Sequence, residues 1–235
     1  MRILALECSG LAASAAIAND GVLIGEYTIN YKKTHSQTLL PMIDEVARMT
    51  ELDLNTIDVI AITSGPGSFT GLRIGSATAK GLGLALDKPI CAVPTVDALA
   101  YNLWGAGALV CPLMDARRNQ VYTGVYRFKD GEMLTILDQR AVSIDEILGE
   151  LSEMGRNVIF LGDGVPVFED QIKDKCRVPY MFAPAHMNRQ RAGAVAALAF
   201  LYARDGKLES SDDHKPDYLR LSQAERERLE KEKYV

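Results

Sequence analysis

Histidine and cysteine, the side chains that most metal sites use, are scarce and scattered in this sequence. Its 235 residues include three histidines, and no two of them lie three or four positions apart, as a helical metal pair requires. The four cysteines are spread along the chain without a Cys-x-x-Cys pair, so we expect reduced thiols that pack as small hydrophobic side chains. We therefore predict that this chain itself holds no metal and no disulfide.

Three further absences narrow the class of protein. No segment approaches the roughly 18 to 20 consecutive apolar residues of a membrane helix, and the opening MRILALECSG lacks the layout of a signal peptide, so we expect a cytoplasmic protein without membrane contact. No Gly-x-Ser-x-Gly motif supports a serine hydrolase. The formal net charge is −5, without a basic surplus in either half, so we expect any RNA to be held through a partner.

The sequence does contain two successive β-β-β-α-β-α patterns. In the first, strands are predicted at 2–8, 12–18, 22–29, 58–65 and 89–95, with helices from Thr38 to Thr50 and from Thr70 to Leu86. In the second, strands are predicted at 108–116, 120–128, 132–138 and 157–162, with helices from Ile144 to Met154 and from Arg189 to Arg204. Asn19-Asp20-Gly21 and Lys129-Asp130-Gly131 predict a matching tight hairpin in each half.

This repetition predicts an α/β fold of the duplicated ribonuclease-H-like kind, the two-lobed plan of the actin-like ATPases (ASKHA). We assign residues 1–104 to the N-terminal lobe, 105–212 to the C-terminal lobe and 213–235 to a charged tail that is helical or frayed. Pro41 fits a helix that begins near Thr38, whereas an earlier start would place this proline in the helix interior and imply a kink.

The stretch SGPGSFTGLRIGSATAKGLGLAL (64–86) begins like a phosphate loop but matches neither nucleotide motif. Gly71 is not followed by the lysine of a Walker A loop, and the preceding glycines miss the dinucleotide spacing by one residue. What remains is a turn and a capped helix, and this structural interpretation carries more weight than anion binding. The residues assigned to the turn and the cap are Gly65, Gly67, Ser68 and Thr70.

Within the helix of this stretch, glycine or alanine recurs at every fourth position. Each glycine costs about 1 kcal/mol of helix stability relative to alanine, so a close contact on that face is expected in return. The contact could be this protein's own sheet or a helix of another chain; the two-sided apolar character of the helix at 38–50 gives the second possibility equal weight. The residues predicted to form a partner interface are Leu39, Met42, Ile43, Val46, Met49, Gly71, Gly75, Ala79 and Gly83.

A nucleotide-binding cleft is the enzymatic alternative. Glu7 and Asp115 follow the first strand of each half, where they could bracket magnesium and ATP in an actin-like phosphotransferase. Gly162 and Gly164 resemble an adenosine-side turn, although a glycine pair after a strand is ordinary turn chemistry. Neither ECSG nor MDAR has, next to its carboxylate, the glycine that would let phosphate approach, which counts against this alternative. A peptidase has no support from a metal pair or a nucleophile.

Three segments resemble the bacterial tRNA threonylcarbamoyladenosine biosynthesis family TsaB, also called YeaZ: THSQTLLPMIDEV, SGPGSFTGLRIGSATAKGLGLAL and MDARRNQVYTGVY. The resemblance covers most of the chain, and GPGSFTGLRIG is its most specific part. It implies a two-lobed actin-like fold and a non-catalytic paralogue of the transferase TsaD. In transferase relatives a histidine pair holds a metal, whereas this chain has only His35, with Leu39 four positions on. Many family members also read Asp-Thr-Ser where this chain reads Glu7-Cys8-Ser9.

The resemblance also implies a set of partners. It implies a heterodimer with TsaD through the two helices of the first lobe, a complex that the ATPase TsaE joins, and a homodimer when the chain is alone. ATP and metal would be bound by partner subunits, with no cofactor of the chain's own. The complex would transfer a threonylcarbamoyl group to the adenosine 3′ of the anticodon, and this chain would meet tRNA indirectly.

Overall fold

Ten strands form two five-stranded sheets in the computed structural model, which describes residues 1–220. The first sheet contains β1 (Arg2–Glu7), β2 (Ala13–Asn19), β3 (Val22–Ile29), β4 (Val59–Gly65) and β5 (Ile90–Pro94), in the order β3-β2-β1-β4-β5. The second contains β6 (Leu109–Asp115), β7 (Gln120–Lys129), β8 (Glu132–Ser143), β9 (Val158–Leu161) and β10 (Tyr180–Phe182), in the order β10-β9-β6-β7-β8. Both sheets have an antiparallel three-strand meander followed by parallel strands, so the predicted duplication is confirmed.

Six α-helices cover these sheets in the described part of the chain. They are α1 (His35–Met49), α2 (Phe69–Leu86), α3 (Thr95–Tyr101), α4 (Ile144–Met154), α5 (Val165–Lys175) and α6 (Ala192–Arg204), with one 3-10 turn at Leu54–Thr56. Helices α1 and α2 pack on the outer face of the first sheet, and α4 and α5 pack on the outer face of the second. Helices α3 and α6 lie between the sheets. No helix in residues 1–220 is long and apolar enough to cross a membrane.

The two predicted hairpin turns have the same backbone conformation. Asp20 and Gly21 have φ angles of 49° and 80°, and Asp130 and Gly131 have φ angles of 54° and 83°. Positive φ at both central residues suits the right-handed twist of the strands that they join, and aspartate followed by glycine tolerates it well. The local sequence therefore fixes the same turn in each lobe.

Helix α1 begins one turn earlier than the sequence pattern predicted. It starts at His35, so Pro41 lies within the helix instead of in its first turn. A proline in this position cannot donate to the carbonyl of Gln37. Because Gln37 and Pro41 are both exposed, water can hydrate that carbonyl, which explains why the proline is tolerated here.

Helix α6 packs against the first sheet, although the sequence pattern placed it in the second repeat. Its buried face contains Val195, Leu198 and Ala199, which contact the β1, β2 and β4 surface around Ala5 and Ala61. Small side chains on both surfaces let the helix approach the sheet closely. The helix that completes the second repeat is α5, which the sequence pattern missed together with α3 and β10.

Residues 207–220 return from α6 to the first lobe, and we call this segment the strap. Its backbone pairs with β5 through Ile90 and Glu209, and the Asp217 N–H donates to the Ser64 carbonyl. His214 on the strap is buried, and its ring lies 2.6 Å from a Glu209 carboxylate oxygen. The first residues of the predicted charged tail are therefore neither helical nor frayed, and residues 221–235 lie outside the described residues.

The N-terminus of α6 is held by a carboxylate from the first lobe. Glu26 on β3 accepts from the Gly193 N–H at 2.8 Å and pairs with the Arg191 guanidinium. Glu26→Ala should lower the free energy of unfolding by about 2 kcal/mol, because it leaves a helix N–H and a half-buried guanidinium without their acceptor. Urea denaturation measures this change. Equal stability of the variant and the natural chain would show that this contact does not hold α6 in place.

Candidate functional site

A cavity of about 480 Å³ lies between the lobes, where β1, β6 and β9 end and α2 begins. Its position matches the cleft that the sequence predicted between the two halves. The lining residues are Ser9, Gly10, Leu11, Gly67, Ser68, Phe69, Met114, Asp115, Ala116, Arg117, Arg118, Tyr122, Asp163 and Arg220. Of the four residues proposed for a nucleotide cleft, Asp115 alone is among them.

Glu7 lies beneath the cavity and is fully buried. One carboxylate oxygen accepts from the Ser9 N–H and the Ser9 hydroxyl, both at 2.5 Å, and the other has no partner among the described residues. Burial raises the pKa of this carboxyl from 4.5 to about 7, because a buried charge loses its hydration. Glu7 is not among the residues that line the cavity, so its carboxyl is used inside the lobe.

Asp115 is engaged by the hairpin that follows it. Its carboxylate accepts from the Arg117 N–H at 2.7 Å and from the Arg117 guanidinium at 3.0 Å. These bonds fix the turn between β6 and β7, which is a structural task. The structure therefore gives no support to the hypothesis of a magnesium site between Glu7 and Asp115, since one carboxyl is buried and the other braces its own hairpin.

Gly162 and Gly164 use their N–H groups inside the lobe. Gly162 donates to the Asn188 carbonyl at 3.1 Å, and Gly164 donates to the Leu113 carbonyl at 2.8 Å. A Cβ at Gly162 would overlap the Leu113 carbonyl oxygen, and its φ angle is 108°. These glycines serve a tight turn against β6, so their N–H groups are not free to bind a phosphate.

The turn before α2 follows the structural interpretation of its sequence. Ser68 is the N-cap, and its hydroxyl accepts from the Gly71 N–H at 3.3 Å, whereas Thr70 lies inside the first turn. A Cβ at Gly65 would overlap the Asp217 carbonyl on the strap, and one at Gly67 would overlap the Ser9 carbonyl. Both glycines are needed for close approach of this protein's own backbone.

The stripe of small residues on α2 faces this protein's own sheet and strap, which corrects its assignment to a partner interface. A Cβ on Gly71 would overlap the Cys8 carbonyl oxygen, and one on Gly75 would lie 3.0 Å from an Ile62 methyl. Ala79 is fully buried, and Gly83 lies against Ser211 of the strap. Close packing of the helix on the sheet of the same chain offsets the helix stability that these glycines cost.

Four of the predicted interface residues on α1 are also internal. Leu39, Met42, Ile43 and Val46 are buried in the core between α1 and the first sheet. The helical spacing correctly identified an apolar face, but that face covers the sheet. Met49 is the exception, because 68% of its surface is exposed.

The outer face of α1 and α2 carries the exposed residues that the sequence interpretation did not select. Leu40 on α1 and Leu84 on α2 are 56% and 60% exposed, and Ala77 and Gly81 lie on the same exposed side of α2 as Leu84. No atom of the described residues lies within 4 Å of the place where a Gly81 side chain would begin. The small residues of the buried stripe recur every four positions up to Ala79 and Gly83, and Gly81 lies midway between these two. Its position off the stripe is the sequence signal that could have identified it as exposed.

His35 has a structural role at the start of α1. Its Nε2 lies 2.9 Å from the Gly10 carbonyl oxygen, and its ring packs beside Gly71. Leu39, one turn further on, is buried in the core. Within residues 1–220, no three His, Cys, Asp or Glu side chains are placed to hold a metal ion together.

Comparison with known proteins identifies the family. The model of the family described as "TsaD: tRNA N6-adenosine threonylcarbamoyltransferase" matches residues 22–228. The Bacillus subtilis tRNA threonylcarbamoyladenosine biosynthesis protein TsaB is 35% identical over 236 aligned positions, covering 99% of this chain and all of that protein. YeaZ from Pseudomonas aeruginosa is 27% identical, with a TM-score of 0.76 over 93% of this chain and 99% of its own.

The fold extends beyond these relatives. The ethanolamine utilization protein EutJ from Carboxydothermus hydrogenoformans is 10% identical, with a TM-score of 0.50 over 84% of this chain and 89% of its own. The two lobes thus have the actin-like plan that the duplicated pattern predicted. An identity of 35% over the full length of the Bacillus subtilis protein shows that this chain belongs to the TsaB (YeaZ) family and has a role in the biosynthesis of threonylcarbamoyladenosine in tRNA.

Proposed function

We propose that this protein is a non-catalytic subunit that pairs with a TsaD-type transferase through the outer face of α1 and α2. The observation that carries the proposal is the exposed apolar surface of α1 and α2, with Leu40 and Leu84 on neighbouring helices and open space above Gly81 beside Leu84. A glycine in a helix interior destabilises the helix by about 1 kcal/mol, and no contact with residues 1–220 offsets that cost at Gly81. Close approach of a partner helix would offset it, and the exposed leucines supply apolar surface for the same contact. Gly149 on α4 is equally open, but the exposed residues on its helix are polar, such as Glu146 and Glu153.

The internal contacts made by the cleft residues support the proposal that this subunit is not itself catalytic. Glu7 is buried, Asp115 braces a hairpin, and the N–H groups of Gly162 and Gly164 are occupied. A phosphotransferase would need these groups free to hold magnesium and phosphate. Calorimetric titration of the isolated chain with magnesium-ATP should therefore show no binding, and saturable binding would revive the enzymatic alternative.

The other expected ligands and partners follow from pairing with the transferase. ATP and metal would be held by the TsaD and TsaE subunits of the complex, with no cofactor on this chain. Without a transferase, the same outer face would join two copies of this chain as a homodimer. Threonylcarbamoyl transfer to the adenosine 3′ of the anticodon would take place on the transferase subunit, in the cytoplasm.

Gly81→Trp should abolish pairing while leaving the fold intact. The indole would start from the outer face, where a Cβ at Gly81 has no atom of the described residues within 4 Å, and it would hold a partner helix away. Light scattering of a mixture with the transferase should show the one-to-one complex for the natural chain and separate subunits for the variant. Circular dichroism should give the same spectrum and a similar melting temperature for both.

Gly149→Trp is the matched control. Gly149 lies on α4 of the second lobe, is exposed and has equally open space above it. This variant should pair normally. Normal pairing by Gly81→Trp would overturn the proposal, and equal loss of pairing by both variants would indicate a general effect of the indole.

A further inference from the structure

Arginine side chains gather at the mouth of the cavity between the lobes, although the protein as a whole is acidic. Arg117, Arg118 and Arg220 line the cavity, and Arg73 lies beside it, 6.0 Å from the ring of Phe69 in the cavity wall. Arg117 is 86% exposed. The N-terminus of α2 opens onto the same cavity through Ser68, which adds partial positive charge to that wall.

The hairpin that presents two of these arginines has an unusual backbone. Arg117, Arg118 and Asn119 have φ angles of 63°, 56° and 58°, three consecutive non-glycine residues in the left-handed region. This conformation is unfavourable for side chains other than glycine, asparagine and aspartate. A run of this kind persists where the surroundings enforce it, and such runs concentrate at functional sites. Here it directs two adjacent guanidinium groups outward.

Aromatic rings lie next to the arginines. Tyr218 of the strap stacks on Phe69 with ring centroids 4.7 Å apart, and the Arg73 guanidinium lies 5.9 Å from the Tyr218 ring. Arg220 joins this group to the second lobe by donating to the Ala116 carbonyl. Guanidinium groups beside partly exposed aromatic rings are a combination that proteins use to hold single-stranded RNA.

Nearby acidic groups do not cancel this charge. Asp115 is paired with Arg117, and that single pair leaves most of the donors of the guanidinium group free. Asp163 is largely buried at the cavity floor, and burial raises the pKa of its carboxyl, which favours the neutral form. Arg73, Arg117 and Arg118 are exposed, and the part of the strap beside them, residues 215–220, carries one exposed carboxylate, that of Asp217.

We propose that this arginine-rich mouth binds the phosphate backbone of the tRNA directly, with Arg117 and Arg118 as the principal contacts. The inference rests on the proposed function, because it assigns this chain a share of the RNA contacts in a tRNA-modifying complex. It also revises the expectation from net charge, since an overall charge of −5 conceals a local basic cluster. The chemistry recognised is a phosphodiester on a flexible strand, with no selection for base.

The test is a fluorescence anisotropy titration of labelled tRNA with the complex of this chain and the transferase. Arg117→Glu/Arg118→Glu should weaken binding at least ten-fold near 100 mM salt. It should also lower the slope of log affinity against log salt by about 1 to 2, because about two phosphate contacts are lost. Arg177→Glu is the matched control, since Arg177 is exposed before β10, at the end of the second sheet opposite the cavity. It should change affinity less than two-fold.

A second variant distinguishes a loss of tRNA binding from a loss of folding. Arg118→Gly suits the left-handed backbone, so it should raise the melting temperature while weakening tRNA binding. Unchanged affinity and salt slope in both arginine variants would overturn the proposal. If light scattering showed that the double variant no longer pairs, the cluster would be a protein contact and the RNA proposal would also fall.

If the proposed pairing with the transferase is wrong, the natural chain forms no complex at all, and this result differs from failure of the RNA proposal alone. In that case the titration of the isolated chain with tRNA tests the arginine cluster alone. Weak binding that the double variant loses would support the cluster as an RNA site. Competition with inorganic pyrophosphate at equal phosphate concentration distinguishes RNA from a small anion: preference for pyrophosphate would overturn the proposal.

Discussion

Gly71→Ala should lower the free energy of unfolding by about 3 kcal/mol. The first turn of α2 crosses the end of β1 so closely that a Cβ at this position would overlap the Cys8 carbonyl oxygen, and it would lie 3.2 Å from the His35 ring. Cys8 directly follows the central strand β1, and its main-chain atoms cannot move aside as the end of a flexible side chain can, so the helix must shift from the sheet. Urea denaturation at constant pH measures the loss.

Gly81→Ala, ten residues further along the same helix, is the control with the opposite expected sign. Its added methyl group meets no atom of the described residues and replaces glycine with the best helix former. The free energy of unfolding should rise by about 1 kcal/mol. A loss of stability in both variants, or no change for Gly71→Ala, would contradict the close packing of α2 on β1.

Glu7→Gln should stabilise the protein at pH 8 by up to about 3 kcal/mol, with little effect near pH 4.5. Burial raises the pKa of Glu7 from 4.5 to about 7, so the folded chain retains a proton that the unfolded chain releases. The free energy of unfolding therefore falls as the pH rises from about 4.5 to about 7, at 1.4 kcal/mol per unit of pKa difference. Glutamine resembles the protonated acid, and its carbonyl can still accept both bonds from Ser9.

Chemical denaturation of both proteins between pH 4.5 and pH 8 tests this effect. The difference in unfolding free energy should grow with pH and level off above pH 7. Glu153→Gln, at an exposed position on α4, is the control and should show no such growth. A constant difference across the range would contradict the raised pKa of the buried Glu7.

The parts of the fold that depend on local chemistry could be predicted from the sequence. Asp20-Gly21 and Asp130-Gly131 require a turn with positive φ at two positions, and strands of matching apolar pattern flank each pair. The glycines before α2 and the Ser68 cap are local in the same sense. Helix α5 was missed because only Phe168 and Ile172 of its eleven residues are buried, which leaves little apolar periodicity to detect.

The parts that depend on tertiary contacts could not be predicted from one sequence. A bare stripe on α2 indicates close approach but does not reveal whether Cys8 of the same chain or another molecule comes close. Likewise, the apolar face of α6 does not specify which sheet it covers. Gly81 became informative only when the structure showed that, unlike Gly71 and Gly75, it has no internal neighbour among the described residues.

On the proposed account, a duplicated actin-like chain serves its complex without chemistry of its own. The cleft keeps its architecture, but Glu7 and the Gly162–Gly164 turn are committed to internal packing. The outer face of α1 and α2 and the hairpin with Arg117 and Arg118 are exposed. On the proposed account, the first binds the transferase and the second contacts its tRNA.

The most direct test of this account is threonylcarbamoyl transfer to tRNA by the transferase of the same organism, measured with and without this protein, alongside light scattering of the mixture. The account predicts a one-to-one complex, transfer that requires both proteins, and no transfer by this chain alone. Full transfer without this chain, or transfer that does not depend on complex formation, would contradict it.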